Sequence, residues 1–552
     1  MSQFWIDDAR SLVIYPGQPG VLTQYIPELK TLNGSYFTIP HKLRPLMTAA
    51  YYNLPVPPVM TDSSYDWPIE PGKTPLPHQK LYANFTVLHP RMFNLGDPGT
   101  MKTISTLWAM DYLMLQARER FRCLIVAPLT ILETTWAAAI FRNFLNRRTF
   151  EILTGSPERR MKRLESDVDV YIVNHDGIKV GAHIRRKIDP RRPKQKKIEL
   201  DGFSAALAAR DDIKMVIVDE AHGFADPFSG RSGVAQLLFG VGKRPMLKQL
   251  TGTPNATAPT DAYGIAKLSN NAFGKSWTGF RLETMVKITD FKWIPQKDGY
   301  DKARRLLTPA IRFSLDEIWE GPPMTVQRRK VELTEGQKKE MARLKRDLQV
   351  VMQTGGAISA ANESAARQKL IQLSLGAVYD GEHVAHLIDA TPRYRELEAI
   401  VESTERKVVV FVPITSVVHL VVKYLRTEWK KHKKPWKCDF INGEVKAGKE
   451  RDAVINQFVS DPDFKLVVAD PQTATEGINE FVIADTVVWF GATDRAKAWI
   501  QGNARVRRPG QKYPSTCFQL VSNKLEEEIF DRLENNTSMQ GLMLQAIRDG
   551  AF

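Results

Sequence analysis

The stretch Leu95-Gly96-Asp97-Pro98-Gly99-Thr100-Met101-Lys102-Thr103 lies between an apolar segment and a segment with apolar residues at helical spacing. A glycine-rich turn between a strand and a helix directs backbone N–H groups and the helix N-terminus at an anion. We therefore interpret this stretch as a phosphate-binding loop. Lys102 would reach the terminal phosphates of a nucleotide, and the Thr103 hydroxyl would bind its magnesium ion. The usual pattern has glycine directly before the lysine, where this sequence has Met101.

Two acids follow an apolar run further along the chain. Met215–Val218 reads as a buried strand, and Asp219 and Glu220 come directly after it. The first carboxylate would hold Mg²⁺ through water, and the second would polarise an attacking water molecule. Strands that end in two acids also arise by chance. The position of this pair downstream of the loop, with further strands between, predicts a RecA-like ATPase.

Two further segments are candidates for the same chemistry. Leu250–Pro254, Leu-Thr-Gly-Thr-Pro, ends another predicted strand, and its small hydroxyl side chains would sense a γ-phosphate; an ordinary turn is the alternative. Gln501–Gln511 contains Arg505 and Arg508, which are three residues apart and share one face if the segment is helical. That face would offer guanidinium groups to phosphate charge in a transition state, unless it is only a solvated helix surface.

Length and charge restrict the class of protein. A chain of 552 residues is too long for one hydrophobic core, and 43% hydrophobic with 25% charged residues is typical of soluble globular proteins. The net charge of +15 favours a polyanionic partner, most simply nucleic acid, over a merely solvated basic surface. The run Arg185–Lys197 has eight basic residues, one acid and two prolines. We expect an exposed loop there, which either contacts DNA or is only solvated.

The sequence shows no sign of export or membrane insertion. Cys123, Cys438 and Cys517 are far apart, which argues against a disulfide framework or a zinc site and suits a reducing compartment. The first residues do not form a basic region followed by an apolar run, and no segment approaches about 18 uninterrupted apolar residues. We therefore expect neither a signal peptide nor a transmembrane helix, and a cytoplasmic location (nuclear in a eukaryote).

Apolar strands that alternate with amphipathic helices predict an α/β fold with two parallel-sheet lobes. The predicted domains are an N-terminal α+β module (1–72), a first lobe (73–255), a helical insertion (256–390), a second lobe (391–525) and a helical tail (526–552). In the N-terminal module we predict strands over 12–15 and 36–39 and helices over 21–32 and 43–53. Long helices are predicted over Thr334–Val351 and Ala357–Leu375.

Five strands are predicted in each lobe. Those of the first lobe are Phe93–Leu95, Cys123–Ala127, Val170–Val173, Met215–Val218 and Leu247–Leu250. Those of the second lobe are Lys407–Phe411, Cys438–Ile441, Leu466–Ala469, Thr486–Trp489 and Ser515–Gln519.

Together these segments resemble the motifs of Swi/Snf-type superfamily 2 helicase-like ATPases, in the family's order from about residue 76 to 525. Pro75–Gln79 resembles the motif whose glutamine, here Gln79, reads adenine. Leu95–Thr103 is similar to motif I, and Leu124–Trp136 to motif Ia. The tetrapeptide Asp219–His222 is Asp-Glu-Ala-His, as in much of the family, and Leu250–Pro254 is similar to motif III.

The second lobe carries the later motifs. Val408–Thr415 resembles motif IV, and Thr473–Asn479, with Gly477, resembles motif V, which couples DNA contacts to ATP. Gln501–Gln511 matches motif VI in Gln501, both arginines and the final Gly-Gln. Its combination with Leu-Thr-Gly-Thr-Pro favours the Swi/Snf type over DEAD-box RNA helicases. Tyr65–Pro68 resembles part of the accessory region of annealing-helicase relatives and of compact bacteriophage-encoded members, whose setting would be a bacterial or phage-infected cell.

The resemblance implies two RecA-like lobes that bind ATP with Mg²⁺ and hold nucleic acid across both. Its candidate nucleotide ligands are Gln79, the loop from Gly96 to Thr103, Asp219, Glu220, Gly477, Gln501, Arg505 and Arg508, with Thr103 and Asp219 at the magnesium ion. Glu220, Lys102, Arg505 and Arg508 are the candidate catalytic residues.

From these residues we predict an ATP-dependent translocase on double-stranded DNA, in replication, recombination or repair, for which a monomer would suffice. The alternatives are a strand-separating helicase acting on DNA or RNA, with single-stranded substrates included, and a DNA-binding scaffold that holds ATP with little hydrolysis. Met101 motivates the last alternative. If its position requires a positive φ, a residue other than glycine costs about 1–3 kcal/mol there. We then expect slower turnover or weaker ATP binding.

Overall fold

The computed structural model describes residues 4–186, 196–255, 258–289, 293–353, 360–379, 385–445, 449–474 and 478–535. The chain divides into two units. The first consists of Met1–Asn255, Pro259–Glu283 and Gly299–Ile318, and the second of Ala256–Ala258, Thr284–Asp298 and Trp319–Phe552. Each unit is built around one parallel sheet, which confirms the predicted α/β fold with two lobes.

A small antiparallel sheet begins the first unit. Its strands are β1 (Trp5–Asp7), β2 (Leu12–Pro16), β3 (Lys30–Leu32) and β4 (Tyr36–Pro40), in the order β1-β2-β4-β3, followed by helix α1 (Leu43–Tyr51). The helix predicted over residues 21–32 is wrong. Gly20–Gln24 forms a short 3₁₀ helix and Lys30–Leu32 is a strand. Pro27 lies between them and lacks the N–H that a continuous helix needs.

The main sheet of the first unit is parallel. The strands that follow along the chain are β5 (Arg91–Asn94), β6 (Arg122–Ala127), β7 (Phe150–Ile152), β8 (Val170–Asn174), β9 (His183–Arg186), β10 (Lys196–Glu199), β11 (Ile213–Asp219), β12 (Met246–Leu250), β13 (Met285–Lys287), β14 (Trp293–Pro295) and β15 (Ala310–Ile311), of which β13 and β14 belong to the second unit. Within the described residues seven of them form this sheet, in the order β15-β5-β12-β11-β6-β8-β7. Every strand predicted for the first lobe is present.

Helices cover both faces of the main sheet. They are α2 (Pro77–Leu88), α3 (Lys102–Gln116), α4 (Ala138–Phe144), α5 (Pro157–Leu164), α6 (Gly202–Ala209), α7 (Gly230–Phe239), α8 (Ala262–Asn270), α9 (Trp277–Thr284), α10 (Gly299–Leu306) and α11 (Leu315–Ile318). One apolar cluster joins Trp108 of α3 and Ile125 of β6 to Val13 and Phe37 of the small sheet. The small sheet and the main sheet therefore share one core.

The basic run predicted as a loop is bounded by paired strands. β9 and β10 form an antiparallel hairpin in which Ile184 pairs with Ile198 and Arg185 with Lys197, so these ends of the run are not a loop; residues 187–195 lie outside the described part. The two isoleucines lie against α7, where a Cβ atom added to Gly230 would be 2.8 Å from Ile184 Cδ1. The alternation of apolar and basic residues thus reflects one face packed on a helix.

The second unit has its own parallel sheet. Its strands are β16 (Met324–Lys330), β17 (Ala377–Tyr379), β18 (Ala385–Leu387), β19 (Val408–Phe411), β20 (Lys437–Ile441), β21 (Phe464–Ala469), β22 (Thr486–Trp489) and β23 (Ser515–Val521). Six of them form the sheet among the described residues, in the order β16-β23-β22-β19-β21-β20, and every predicted strand of this lobe is present. The helices are α12 (Glu335–Gln353), α13 (Ala360–Leu375), α14 (Thr391–Glu402), α15 (Thr415–Lys431), α16 (Lys449–Ser460), α17 (Pro471–Ala474), α18 (Ala496–Val506) and α19 (Lys524–Glu534).

One strand of this sheet comes from the region predicted as helical. β16 pairs with β23 along its whole length, although most of its residues are exposed and several are basic. An exposed edge strand needs no apolar run, so the hydrophobic pattern did not indicate it. In the described part of the chain no helix has the length and apolar character needed to cross a bilayer.

Candidate active site

Three candidate segments of the first unit meet at one edge of its main sheet. β5, β12 and β11 are parallel neighbours, so the residues that follow them lie at the same carboxyl edge. The phosphate-binding loop follows β5, Leu-Thr-Gly-Thr-Pro ends and follows β12, and Asp219 ends β11. A Cβ atom added to Gly252 would lie 2.8 Å from Cδ of Pro98, so the β12 segment packs directly on the loop.

The loop does require a positive φ before its lysine. Met101 is the N-cap residue of α3, with φ 59° and ψ 37°, in the left-handed region. The condition set out from the sequence is therefore met, and the methionine carries the cost of about 1–3 kcal/mol that a glycine would avoid.

Close packing explains one of the two loop glycines. A Cβ atom added to Gly96 would overlap the hydroxyl of Tyr82 and lie 2.7 Å from Oγ1 of Thr100. The Thr100 hydroxyl in turn donates to the carbonyl of Asp97 at 2.9 Å. Tyr82 of α2 therefore packs against the loop and supports it. Sequence reasoning missed this residue.

Lys102 spans the loop from the first turn of α3. Its Nζ donates to the carbonyl oxygens of Gly96 at 2.6 Å and Asp97 at 2.9 Å. The ammonium group is therefore at the loop, where an anion bound by the backbone N–H groups would meet it. Thr103 follows it at the start of the same helix.

The segment after β15 closes another side of the loop. The carboxylate of Asp97 accepts from Nη2 of Arg312 at 3.2 Å and from the backbone N–H of Leu315 at 3.3 Å. The backbone N–H of Asp97 donates to the carbonyl of Phe313 at 3.1 Å. Asp97 therefore fixes the loop to a distant part of the chain, and no sequence pattern indicated this contact.

Gln79 lies beside the loop. Its side chain is buried on α2, its Oε1 accepts from the backbone N–H of Leu76 at 2.8 Å, and its Nε2 donates to Sδ of Met101 at 2.9 Å. Two residues that were predicted for the same site from separate motifs are therefore in contact.

The two acids at the end of β11 have different surroundings. Oδ2 of Asp219 accepts from the indole N–H of Trp136 at 2.9 Å, and Oδ1 accepts from the backbone N–H of Glu220 at 2.9 Å. Burial, together with the charge of Glu220, raises the pKa of Asp219 to about 6. Glu220 has φ 49°, a strained conformation that turns the chain sharply after the strand.

A histidine connects the acids to the β12 segment. Nδ1 of His222 lies 3.1 Å from Oε2 of Glu220 and 3.3 Å from Oγ1 of Thr251. Behind them, Nε2 of His175 donates to the carbonyl of Asp219 at 2.8 Å, and burial lowers the pKa of His175 to about 4. His175 is therefore a neutral support of the site that sequence reasoning missed.

These oxygen ligands fit a magnesium ion that is also held by phosphate. Mg²⁺ is usually bound by one or two carboxylates together with water and substrate phosphates, and the Asp219 carboxylate and Thr103 hydroxyl are ligands of this kind. Among the described residues no group of three or more His, Cys, Asp or Glu side chains could hold a metal alone. The residues thus suit a metal that arrives with a nucleotide.

The second unit carries the arginine segment. Gln501 is buried in α18 and Arg505 lies in its last turn, but the helix ends at Val506. Arg508 lies beyond that end, so the predicted shared helical face does not exist. Nη1 of Arg508 donates to Oδ1 of Asn479 at 2.5 Å, and burial lowers the pKa of its guanidinium. Gly477, predicted as a nucleotide ligand, lies outside the described residues.

A neutral amide anchors the turn after α18. Nε2 of Gln511 donates to the carbonyls of Val482 at 3.0 Å and Ala484 at 2.7 Å. Its Oε1 accepts from the backbone N–H groups of Lys512 and Tyr513. The final glutamine of the motif therefore supports the fold of this turn.

Comparison with known proteins identifies the family. The human DNA annealing helicase and endonuclease ZRANB3 is 21% identical over 462 aligned positions, in an alignment that covers 80% of this chain and 40% of that protein. The chain thus spans about 40% of the length of this relative. Two structures of the Sulfolobus solfataricus SWI2/SNF2 ATPase core, one with double-stranded DNA, are 19% identical; they cover 88% and 89% of this chain and 95% and 98% of their own, with TM-scores of 0.37 and 0.36. Residues 95–373, about half of the chain, match the SNF2-related domain family, so this chain belongs to that family of Swi/Snf-type superfamily 2 helicase-like ATPases.

Proposed function

We propose that this chain is an ATP-dependent DNA translocase that hydrolyses ATP to move along or remodel duplex DNA in replication, recombination or repair. The observation that carries the proposal is the convergence at one sheet edge of the phosphate-binding loop, the Asp219–Glu220 pair and the segment after β12. Family membership supports an ATPase of this type.

The residues of the first unit divide the work of hydrolysis. Loop N–H groups and Lys102 bind the β- and γ-phosphates, while Thr103 and Asp219 hold the magnesium ion, which neutralises phosphate charge when bound. Glu220 orients a water molecule for attack on the γ-phosphorus and accepts its proton, and ADP leaves with its new terminal oxygen charge near Lys102. His222 contacts both Glu220 and Thr251, so it can report the loss of the γ-phosphate to the β12 segment.

The second unit supplies positive charge. Arg505 and Arg508 stabilise the charge that develops on the transferring phosphoryl group, as guanidinium groups do in other ATPases. Arg508 reaches Asn479, which ends the stretch that resembles motif V, so its position depends on that segment. The two arginines therefore act in the same step, and the position of Arg508 depends on Asn479.

Duplex DNA is the proposed nucleic-acid substrate. The net charge of +15 supports a polyanionic partner, as does the basic hairpin of β9 and β10, which packs on α7. The human relative is by name a DNA annealing helicase. In the hairpin Arg185 and Lys197 face away from the isoleucines that pack on α7. Binding through such residues releases counterions and weakens with salt.

The test is steady-state ATP turnover with duplex DNA, single-stranded DNA and RNA at two salt concentrations. We expect duplex DNA to raise turnover most, with less stimulation at the higher salt. No stimulation by duplex DNA would overturn the proposal, and greater stimulation by single strands or RNA would instead favour a strand-separating helicase.

The hairpin can be tested in the same assay. Replacing Arg185 and Lys197 together by alanine removes two exposed cations, so the logarithm of DNA affinity should fall less steeply with salt, by about 1.8 in slope. The matched control replaces Arg159 and Lys162, two exposed cations on α5, in the same way. Equal effects of the two pairs would show that the hairpin is an ordinary solvated surface.

The left-handed backbone conformation of Met101 favours a second candidate function, a DNA-bound scaffold that holds ATP with little hydrolysis. In that case the wild-type protein binds ATP but does not turn it over with any of the nucleic acids, and Met101→Gly restores turnover. A wild-type enzyme that is stimulated by DNA excludes this candidate.

A further inference from the structure

The amide of Gln79 has a contact within its own protein at each end. Its side chain is buried, its oxygen accepts from the backbone N–H of Leu76 at 2.8 Å, and its nitrogen donates to the Met101 sulfur at 2.9 Å. A thioether sulfur is a weak acceptor, so this contact can be exchanged for a stronger one. Met101 therefore occupies one N–H of the amide without holding it firmly.

The sulfur reaches Gln79 because of where Met101 lies. As the left-handed N-cap residue of α3, it ends the phosphate-binding loop and its side chain extends to α2. A glycine at this position would have no side chain to offer. The donor end of Gln79 would then be available to a ligand, or would bear the cost of a buried unpaired N–H.

We propose that Met101 is a specificity-determining residue, which competes with the adenine base for the amide of Gln79 and so lowers the preference for ATP over other nucleoside triphosphates. This inference rests on the proposed ATPase function, in which Gln79 reads adenine. Met101 thereby acts on the base as well as on the phosphate end of the nucleotide.

The chemistry of the two purines explains the consequence. Adenine presents an N6 amino donor beside the N7 acceptor, whereas guanine presents two acceptors, O6 and N7. A free amide satisfies adenine with both ends, since its oxygen accepts and its nitrogen donates. With one of its two N–H groups donated to sulfur, the amide has fewer donors for the base, so it discriminates less between the purines and the base contributes less to binding.

Two substitutions separate this effect from crowding at the phosphates. Met101→Leu keeps a side chain of similar volume in the left-handed conformation but removes the sulfur acceptor. We expect it to tighten ATP binding about fivefold and to change GTP binding less than about twofold, in keeping with the net contribution of one hydrogen bond. Met101→Gly should tighten both nucleotides, because it also removes bulk and strain, while it keeps the gain in ATP preference.

Gln79→Glu is the matched control. A carboxylate still accepts from the Leu76 N–H, so the start of α2 keeps its support, but both N–H donors are lost. In this background Met101→Leu should leave the ratio of ATP to GTP affinity unchanged. A double-mutant cycle on that ratio therefore measures the coupling between residues 79 and 101.

The experiment is equilibrium competition of ATP and GTP against a fluorescent ADP on the full-length chain, with thermal unfolding of each variant alongside. The inference is overturned if Met101→Leu shifts both nucleotides equally, or if its effect on the ratio persists with Gln79→Glu; Met101→Gly gives the same decision if the leucine variant does not fold. If DNA stimulates ATP turnover but the substitutions leave the ratio of ATP to GTP affinity unchanged, only the role of Met101 in base preference is refuted. If the ratio changes as expected but DNA does not stimulate turnover, only the proposed translocase is refuted. If neither wild type nor Met101→Gly binds either nucleotide, both are refuted.

Discussion

Candidate residues of the first unit contact one another, whereas Arg508 and Gln511 of the second unit contact neutral amide and carbonyl groups. In the first unit Gln79 contacts Met101, and His222 bridges Glu220 and Thr251. In the second unit the turn after α18, on which Arg508 lies, is fixed by the amide of Gln511. Substitutions in the first unit should therefore be strongly coupled, and those in the second should separate into effects on activity and effects on folding.

The largest expected effect is at the acid that activates water. Glu220→Gln removes the proton acceptor with little change in size, so ATP turnover should fall by about 10³-fold. ATP binding should persist, because Lys102 and Asp219 are unchanged. ATP turnover is measured as phosphate released in a fixed-time assay, and ATP binding is measured at equilibrium. The control is Glu165→Gln at the exposed residue that directly follows α5, and loss of less than tenfold at residue 220 would contradict the assigned role.

The next effect is in the second unit. Arg505→Lys keeps the positive charge but loses the planar guanidinium, so the turnover number should fall about 10²-fold. Because the turn is held by Gln511, unfolding of the second unit should not change. Arg507→Lys is the matched control, since Arg507 caps α18 through its backbone N–H. Equal loss at both positions would mean that general positive charge, and not a positioned guanidinium, acts at this end of the helix.

This difference between the units also explains what the sequence could predict. Residues that follow parallel strands must share one sheet edge, so the loop, the Asp219–Glu220 pair and the β12 segment could be assigned together without knowing the strand order. Arg312 and His175 also lie at this edge, directly after β15 and β8, but β15 was not predicted as a strand and no motif singled out the histidine, so neither was assigned to the site. The pattern of the chain indicates which elements carry the chemistry but not which side chains support them.

Helix ends were harder to place, although one indication was present. The sequence spacing of Arg505 and Arg508 assumed a continuous helix, but Pro509 disfavours helical geometry for the residue before it. The helix in fact ends at Val506, and Arg507 already has φ −86° and ψ 92°. The chemistry assigned to both arginines remains a prediction, now without the shared face.

A substitution at Gln511 should affect folding first. Gln511→Leu leaves the carbonyls of Val482 and Ala484 without their donor, which should lower the free energy of unfolding by about 2 kcal/mol. At temperatures where the protein stays folded, turnover should fall much less than for Arg505→Lys. Thermal unfolding and ATPase assays below the transition separate these outcomes, with Gln457→Leu on the exposed side of α16 as the control. A loss of turnover without a loss of stability would move Gln511 into the chemistry.

The smallest expected effect concerns Lys248, a buried basic residue of the first unit whose hydrogen-bond partners differ from those of the buried Arg393 in the second unit. Arg393 of the second unit has a carboxylate partner, Glu526, at 2.7 Å, whereas Lys248 of β12 donates, within the described residues, to two backbone carbonyls, those of Thr86 at 2.6 Å and His89 at 2.5 Å. Burial lowers the pKa of Lys248 to about 7 from an ordinary value of 10.5. Between these values the unfolded chain binds the proton that the folded chain releases, so this lysine makes stability rise with pH by up to about 1.4 kcal/mol per unit, and it adds no slope below about pH 7.

Lys248→Met removes the titration, and hydrogen-exchange protection of β12 amides, corrected for intrinsic rates, should then lose this slope while that of β23 in the second unit is unchanged. An unaltered slope in β12 would mean that Lys248 stays charged in the fold and that its two carbonyls stabilise it as fully as a carboxylate would.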